Sequence, residues 1–340
     1  MIPERSLEVL RAIVQDFIYS SQPVGSKSLL DRHQFGVSAA TIRNDMALLE
    51  EEELIAAPHT SAGRVPTEKG YRLFVDKLSD LKPLSSGEKS AIESFLLGAN
   101  DLDDIVERTS RQLSQLTNSL ALVQYPSLGK SKVRHIELIP LAPNRILLML
   151  ITDSGRIQQL QIEQDGIDDS TVQELRGRLN GMLAGSQLID VRTKVGNLVG
   201  EFSQERRSLV SSIVEALQSL VDANRQEKLV VSGAANLVKQ ENDFSGELSK
   251  VLEAIEEQVV LLKLLDELHN DQHGVGLRIG SEIGNENLRS AAIMVTGYEN
   301  HGTEIAKLGV LGPTRMDYSG NIASVRAVAR YLSKILEGNS

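Results

Sequence analysis

Thr41, Arg43 and Asn44 are the residues of this chain best suited to act on another molecule, and their chemistry is base recognition, not bond making. On a helix opening after Ser38, the side chains of Ile42, Met46 and Leu49 share one apolar stripe at 100° per residue, which must be the buried one. The opposite flank carries Ala40, Asn44 and Ala47, with Thr41 and Arg43 beside them. A core helix does not expose such a set, and an ordinary solvated face shows more Glu and Lys. Small side chains permit close approach to a groove. Asn matches the donor and acceptor pair of adenine, Arg matches guanine or a phosphate, and Ala40 suits a thymine methyl. Glutamates at 50–53 crowd the far end of the helix, where they repel phosphates, so reading is expected from its N-terminal half.

Bond-making chemistry finds no comparable set. The chain has no cysteine, which excludes thiol catalysis, a disulfide scaffold and cysteine-ligated metals. Gly274, Gly276 and Gly280 are spaced GxGxxxG, which matches neither the dinucleotide fingerprint nor the Walker pattern and reads as turn and strand-edge glycine. His269 and His273 stand four apart but lack the Glu of a zincin motif and a third ligand, so a domain-boundary loop is expected there. Asp101, Asp103 and Asp104, like Asp165, Asp168 and Asp169, are helix-entry acids. There is no Gly-x-Ser-x-Gly elbow and no nucleophile–base pair. The expectation is a protein that is not an enzyme and needs neither metal nor cofactor.

Behind the candidate residues lie the elements that must position them. Leu7, Leu10, Val14, Phe17 and Ile18 have the spacing of an amphipathic helix that stops before Gln22-Pro23. Gly25-Ser26 is expected to cap a short helix over 27–33. Gln34-Phe35-Gly36 makes a tight turn with the glycine at positive φ, and Ser38 caps a third helix to about residue 53. Two short helices around a glycine turn have the shape of a helix-turn-helix. Residues 54–57 and 64–66 read as short strands around the polar loop 58–63, and Thr67 caps a helix carrying Tyr71, Leu73, Phe74 and Leu78. A hairpin placed directly after a recognition helix is a wing. It is expected to bring His59, Thr60, Ser61 and Arg64 against the sugar-phosphate backbone or into a minor groove, with Ser26, Lys27, Ser38 and Lys69 joining the backbone contacts.

Ser38-Ala-Ala-Thr-Ile-Arg-Asn-Asp-Met46, Pro58-His-Thr-Ser-Ala-Gly-Arg64 and Pro66-Thr-Glu-Lys-Gly-Tyr71 together resemble the N-terminal module of the HrcA family, the bacterial heat-inducible transcription repressors. Leu311-Gly-Pro-Thr-Arg-Met-Asp-Tyr318 resembles the same family near the other end. Ile279-Gly280 with Glu286-Asn287 is similar to a further signature, here separated by residues 281–285. Glu53 stands where the family often carries glycine at the end of the recognition helix. The resemblance implies a GAF-like domain interrupted by an inserted dimerisation domain. It further implies a homodimer on double-stranded DNA at an inverted-repeat operator upstream of chaperone operons, and an active fold promoted by the chaperonin GroEL.

Length and charge are compatible with that reading. At 340 residues the chain has room for two or three domains, and its 41% hydrophobic content supplies a sizeable core. The longest apolar run, 146–151, is far too short to cross a bilayer, and Glu4 and Arg5 precede any apolar stretch, unlike a signal peptide. A soluble cytoplasmic protein with no membrane partner is expected. The net charge of −10 argues on average against nucleic acid. Residues 54–78, however, carry Arg64, Lys69, Arg72 and Lys77 against Glu68 and Asp76, a mildly positive local balance.

The remaining chain divides by pattern. Residues 82–87 read as a boundary, and helical periodicity then resumes, including 102–123. Strand-like runs follow at 133–141, 146–152 and 156–162, joined by turn chemistry suited to an antiparallel meander, and three more come late at 275–279, 291–298 and 304–311. Residues 166–272 read as mostly helical, with one strand at 228–231. Val210, Ile213, Val214, Leu217, Leu220 and Val221 form one apolar stripe there, and Leu248, Val251, Leu252, Ile255, Val259 and Leu262 another; each serves either a subunit interface or an internal core. Arg315 is expected to bond buried carbonyls or Asp317, not a ligand. The fold class expected is α+β and multidomain: a winged helix-turn-helix over 1–82, a GAF-like antiparallel-sheet domain from 83–165 and 273–340, and a mostly helical dimerisation insert over 166–272. The function expected is a sequence-specific DNA-binding repressor of heat-shock operons. The alternatives are a metabolite-responsive winged-helix repressor that senses a ligand through its GAF-like domain, and a chaperonin-associated scaffolding protein.

Overall fold

Helix α1 (Glu4–Ser20) buries Val9, Leu10, Ile13 and Val14 and closes at Ser21, whose φ of 56° turns the chain ahead of Pro23. The computed structural model describes residues 2–59, 62–78, 85–87, 90, 92, 101–126, 131–153, 155–223, 228–244, 246–271 and 273–338. Helix α2 (Ser26–Arg32) starts one residue earlier than its pattern predicts. Its cap is Gly25, whose N–H donates to Ser28 Oγ at 3.2 Å, so Ser26 is the first helical residue and not the cap. After the turn at Gly36 (φ 66°), helix α3 (Ala39–Glu51) is capped by Ser38, which accepts from the Thr41 N–H at 3.3 Å.

The exit of α3 is set by backbone geometry. Glu53 has a left-handed φ of 60°, its N–H donates to Glu50 O at 3.0 Å, and the Leu54 N–H donates to Leu49 O at 2.9 Å. That is the two-bond Schellman arrangement, and its usual apolar contact is available from Leu49 and Leu54, both buried. Strands β1 (Ile55–Ala56) and β2 (Val65–Pro66) then pair antiparallel, Ile55 opposite Pro66. Val24 extends the pairing by exchanging two 2.8 Å backbone bonds with Arg64. Helix α4 (Glu68–Asp76) is capped by Thr67, which accepts from Gly70 N–H at 3.1 Å and donates to Glu53 O at 2.6 Å.

Helix α5 (Leu102–Thr117) is shorter than its pattern. Asn118 turns left-handed (φ 48°), and the chain re-emerges as strand β3 (Leu120–Gln124). Every residue of β3 is buried, so its run Leu-Ala-Leu-Val shows no alternation and cannot be told from buried helix by periodicity. With β7 (Leu229–Ser232), β8 (Gly276–Ile279), β9 (Ala291–Asn300) and β10 (Thr303–Pro313) it forms an antiparallel five-stranded sheet in the order β7-β3-β10-β9-β8. Alternate residues feed two cores. Ala121, Val123, Ala292, Met294, Leu308 and Val310 pack with α5 and the last helix, α12 (Tyr318–Gly338). Leu120, Leu122, Ile293, Val295 and Leu311 face residues of α9 (Ala234–Lys239), α10 (Leu248–Glu256) and α11 (Gln258–Glu267).

A third core stands apart. Strands β4 (Val133–Ala142), β5 (Arg145–Thr152) and β6 (Ile157–Glu163) make the expected meander, but in a sheet of their own. Ile136, Leu138, Ile146, Leu148 and Leu150 pack against helices α6 (Asp169–Leu183), α7 (Val191–Val195) and α8 (Arg207–Ala223). This corrects the expected grouping in two places. The meander sides with the helices that follow it, because its one fully buried face meets the stripe of Val210, Ile213 and Leu217. Residues 228–268, expected with the helical segment, instead cover the five-stranded sheet, because β7 pairs with β3. Both candidate interface stripes are largely internal core; Val259 of the second is 79% exposed. The fold is mixed helix and sheet with antiparallel sheets.

Candidate nucleic-acid interface

The interface is built outward from the buried side of α3. Ile42 and Leu49 are fully buried and Met46 nearly so, and Asp45 is buried beside them. Arg5 of α1 donates to the Asp45 carboxylate from Nε at 2.8 Å and from an NH2 group at 3.2 Å, and Ser6 Oγ donates at 2.8 Å. The Arg5 hydrogen bond holds the Asp45 carboxyl below the usual carboxylate range, against the opposing effect of its burial. A second clip joins α1 to α2, where Asp16 accepts from Arg32 at 3.1 Å and His33 Nε2 at 3.0 Å. Both carboxylates were overlooked at the sequence level. The signal for Asp45 was available: a carboxylate bordering an apolar stripe needs a partner when buried.

With the inner side anchored, the outer flank is free. Ala40, Arg43, Asn44 and Ala47 are exposed, and Thr41 is half-buried with its hydroxyl 3.0 Å from Ser38 Oγ. Lys27 is exposed and Ser26 half-buried where α2 opens; Ser38 is exposed at the head of α3; His59 is exposed in the hairpin loop. Thr60 and Ser61 lie outside the described residues. The two remaining candidates are occupied by the acidic end of α3. Arg64 pairs with Glu50, and Lys69 Nζ donates to Glu52 O at 2.8 Å and lies 3.8 Å from the Glu53 carboxylate. Lys69 is thus a ligand of the helix C-terminus, where a cation is favoured by the exposed carbonyls.

The distal motif also proves structural. Arg315 donates to both oxygens of Asp243, at 2.8 and 2.5 Å, and to the carbonyl of Ile18 in α1. Its acid partner is Asp243; Asp317 instead accepts from Gly320 N–H at 3.0 Å at the start of α12. Tyr318 donates to Thr314 O at 2.5 Å and sets its ring 5.7 Å from that of Tyr71. His273 Nε2 donates to Val75 O at 3.1 Å and His269 Nδ1 to Glu267 O at 3.0 Å, so both histidines bond backbone carbonyls at the ends of helices, α4 and α11. Among the described residues, no group of three or more His, Asp or Glu is arranged to hold a metal ion, and no helix is long and apolar enough to cross a membrane.

Comparison with known proteins adds the family. Residues 103–322 match the model described as HrcA protein C terminal domain. The chain is 56% identical over 337 residues to the heat-inducible transcription repressor HrcA of Leifsonia xyli subsp. xyli, covering 99% of each. It is 56% identical over 338 residues to the repressor of that name from Clavibacter michiganensis subsp. michiganensis, with 99% of each covered. With that of Acidothermus cellulolyticus it shares 52% over 340 residues, 100% of each. A crystal structure of a hypothetical protein solved at 2.2 Å has the same fold, with a TM-score of 0.69 at 24% identity and 100% of both chains covered. Motifs at both ends and full-length identity above one half agree: the chain belongs to the HrcA family of heat-inducible transcription repressors.

Proposed function

We propose that this repressor reads double-stranded DNA with residues 2–78 folded as a winged helix-turn-helix, and that α3 is the recognition helix. The observation that carries the reading is the exposed flank Ala40, Arg43, Asn44 and Ala47, set on a helix whose opposite side is buried and tied to α1 through Asp45. Thr41, Arg43 and Asn44 read base edges, and Ala40 meets a thymine methyl. Ser26, Lys27, Ser38 and His59, with Ser61, position the phosphate backbone. Arg64 and Lys69 reach a phosphate only by leaving their partners on α3.

The five-stranded sheet with α5 and α12 is the GAF-like domain, and the meander with α6–α8 is the dimerisation insert, spanning about residues 131–223 in place of 166–272. A homodimer presents two recognition helices to an inverted repeat. Its contact surface is the open face of the meander. Leu147, Met149 and Ile151 alternate with the buried Ile146, Leu148 and Leu150, and exposed Ile139 and Ile157 sit opposite Leu147 and Ile151. The activity is repression of chaperone operons, with the active fold promoted by GroEL. Its assay is operator binding by chain refolded with and without GroEL and ATP.

Selection of bound duplexes from a random pool tests the DNA reading. An inverted repeat is the expected outcome, and absence of any enriched motif defeats it. Arg43→Ala or Asn44→Ala then costs about 1–3 kcal/mol on the selected site and blurs preference at particular base pairs. Equal losses on random DNA show that these residues do not read bases.

A further inference from the structure

Arg64 opens the returning side of the hairpin, yet its guanidinium is already engaged. Glu50, in the last turn of α3, takes Nε at 2.9 Å and an NH2 group at 2.8 Å on the same oxygen, Oε2, while NH1 donates to Ala62 O at 3.3 Å. The Arg64 backbone is fixed by its two 2.8 Å bonds with Val24, so the side chain cannot follow a passing phosphate by shifting its root. The Arg64 and Glu50 side chains are 28% and 38% exposed, which leaves the pair open to competition but partly shielded from salt.

A guanidinium neutralised by its own carboxylate displaces little counterion when DNA approaches, so it adds little to sequence-independent affinity. We propose that Glu50 is a positioning residue that competes with phosphate for Arg64 and thereby limits binding to random DNA. Such restraint matters because random sites outnumber an operator by orders of magnitude and titrate a repressor that binds them well. The inference rests on the DNA-reading role of α3 and the hairpin proposed above.

The test measures binding of the full-length chain to a random-sequence duplex across a salt series. Glu50→Gln, which keeps size and a hydrogen-bond acceptor, is expected to tighten that binding about three- to tenfold at 0.1 M salt and to steepen the salt dependence by about 0.9. In the Arg64→Ala background the same change should do nothing. Unchanged binding by Glu50→Gln overturns the proposal, as does a gain that persists without Arg64, which reports only the loss of a general negative charge. Glu50→Ala and circular-dichroism melts of all variants separate a binding change from a folding change. If the unmodified chain binds no duplex at any salt, the DNA reading itself fails, which is a distinct result.

Discussion

At the scale of single residues, Glu53 and Asp45 show opposite relations between side chain and site. Glu53 sits at φ 60° because α3 must end in a Schellman turn for Leu54 to enter the core; nothing in its side chain favours that conformation. A left-handed backbone costs a non-glycine residue about 1–2 kcal/mol, and the 3.8 Å approach of Lys69 is an exposed pair worth little. Glu53→Gly is therefore expected to raise stability by about 1 kcal/mol, read as a higher midpoint in thermal or urea melts. Asp45 is the reverse case, a carboxylate whose three hydrogen bonds justify its burial. Its folded pKa is depressed by Arg5, so its stabilisation is complete above the unfolded value of about 3.9 and is lost as pH falls through the folded value. Melting midpoints between pH 6 and pH 3 should fall more steeply for the unmodified chain than for Asp45→Asn. Parallel curves would show that the pair has no proton linkage.

At the scale of elements, α4 illustrates how packing overrides propensity. Gly70 lies inside the helix, where alanine is normally favoured by up to about 1 kcal/mol. A Cβ at this position would stand 2.0 Å from Leu54 O, a backbone atom that cannot yield without separating α4 from the α3–hairpin junction. Overpacking of this kind costs about 1–3 kcal/mol or more, so the clash decides the sign. Gly70→Ala is expected to lower stability by about 2 kcal/mol in urea melts; a stabilised variant would mean that the helix is free to shift. The motif Pro66-Thr-Glu-Lys-Gly-Tyr71 then has a physical account, in which Thr67 caps, Lys69 closes α3, Gly70 permits contact and Tyr71 fills the seam.

At the scale of the whole molecule, residues 2–78 are not a loosely tethered module. Tyr71, Phe74 and Val75 share one core with Leu277 and Ile279 of β8 and Tyr318 at the start of α12. Polar contacts frame that core: Arg72 donates to Leu277 O at 2.9 Å and pairs with Glu282, Ser281 donates to Glu68 from both N–H (3.0 Å) and hydroxyl (2.6 Å), and Arg315 ties Asp243 to Ile18. Residues 281–285, the stretch that separates two signature pairs, therefore begin the contact with α4. Arg315→Ala leaves Asp243, whose side chain is 13% exposed, without its cation, and loss of one member of such a pair costs about 3 kcal/mol or more. The expected result is a lower melting midpoint, with tryptic cleavage appearing first between the N-terminal helices and the sheet. An unchanged midpoint and digestion pattern would remove Arg315 from the seam.

Local information alone determined the small N-terminal elements. Caps, the glycine turn and the helical stripe act over a few residues, so Ser38, Gly36 and the run Ile42, Met46, Leu49 announce α3 and its exposed flank without tertiary help. The same holds for the existence of the meander strands, which turn residues delimit, but β5 is apolar throughout 146–151 and its alternation of covered and open faces is decided by packing. Three further matters waited for the tertiary structure because their physics is non-local. Strand β3 is buried on both faces and carries no period, the choice of sheet for the meander depends on which distant helix offers a matching stripe, and a charge has no fixed role until its neighbour is known. Arg64 is a candidate phosphate ligand in sequence, and only the fold shows that its guanidinium also has a carboxylate partner in Glu50, fourteen residues away, at 2.8 Å.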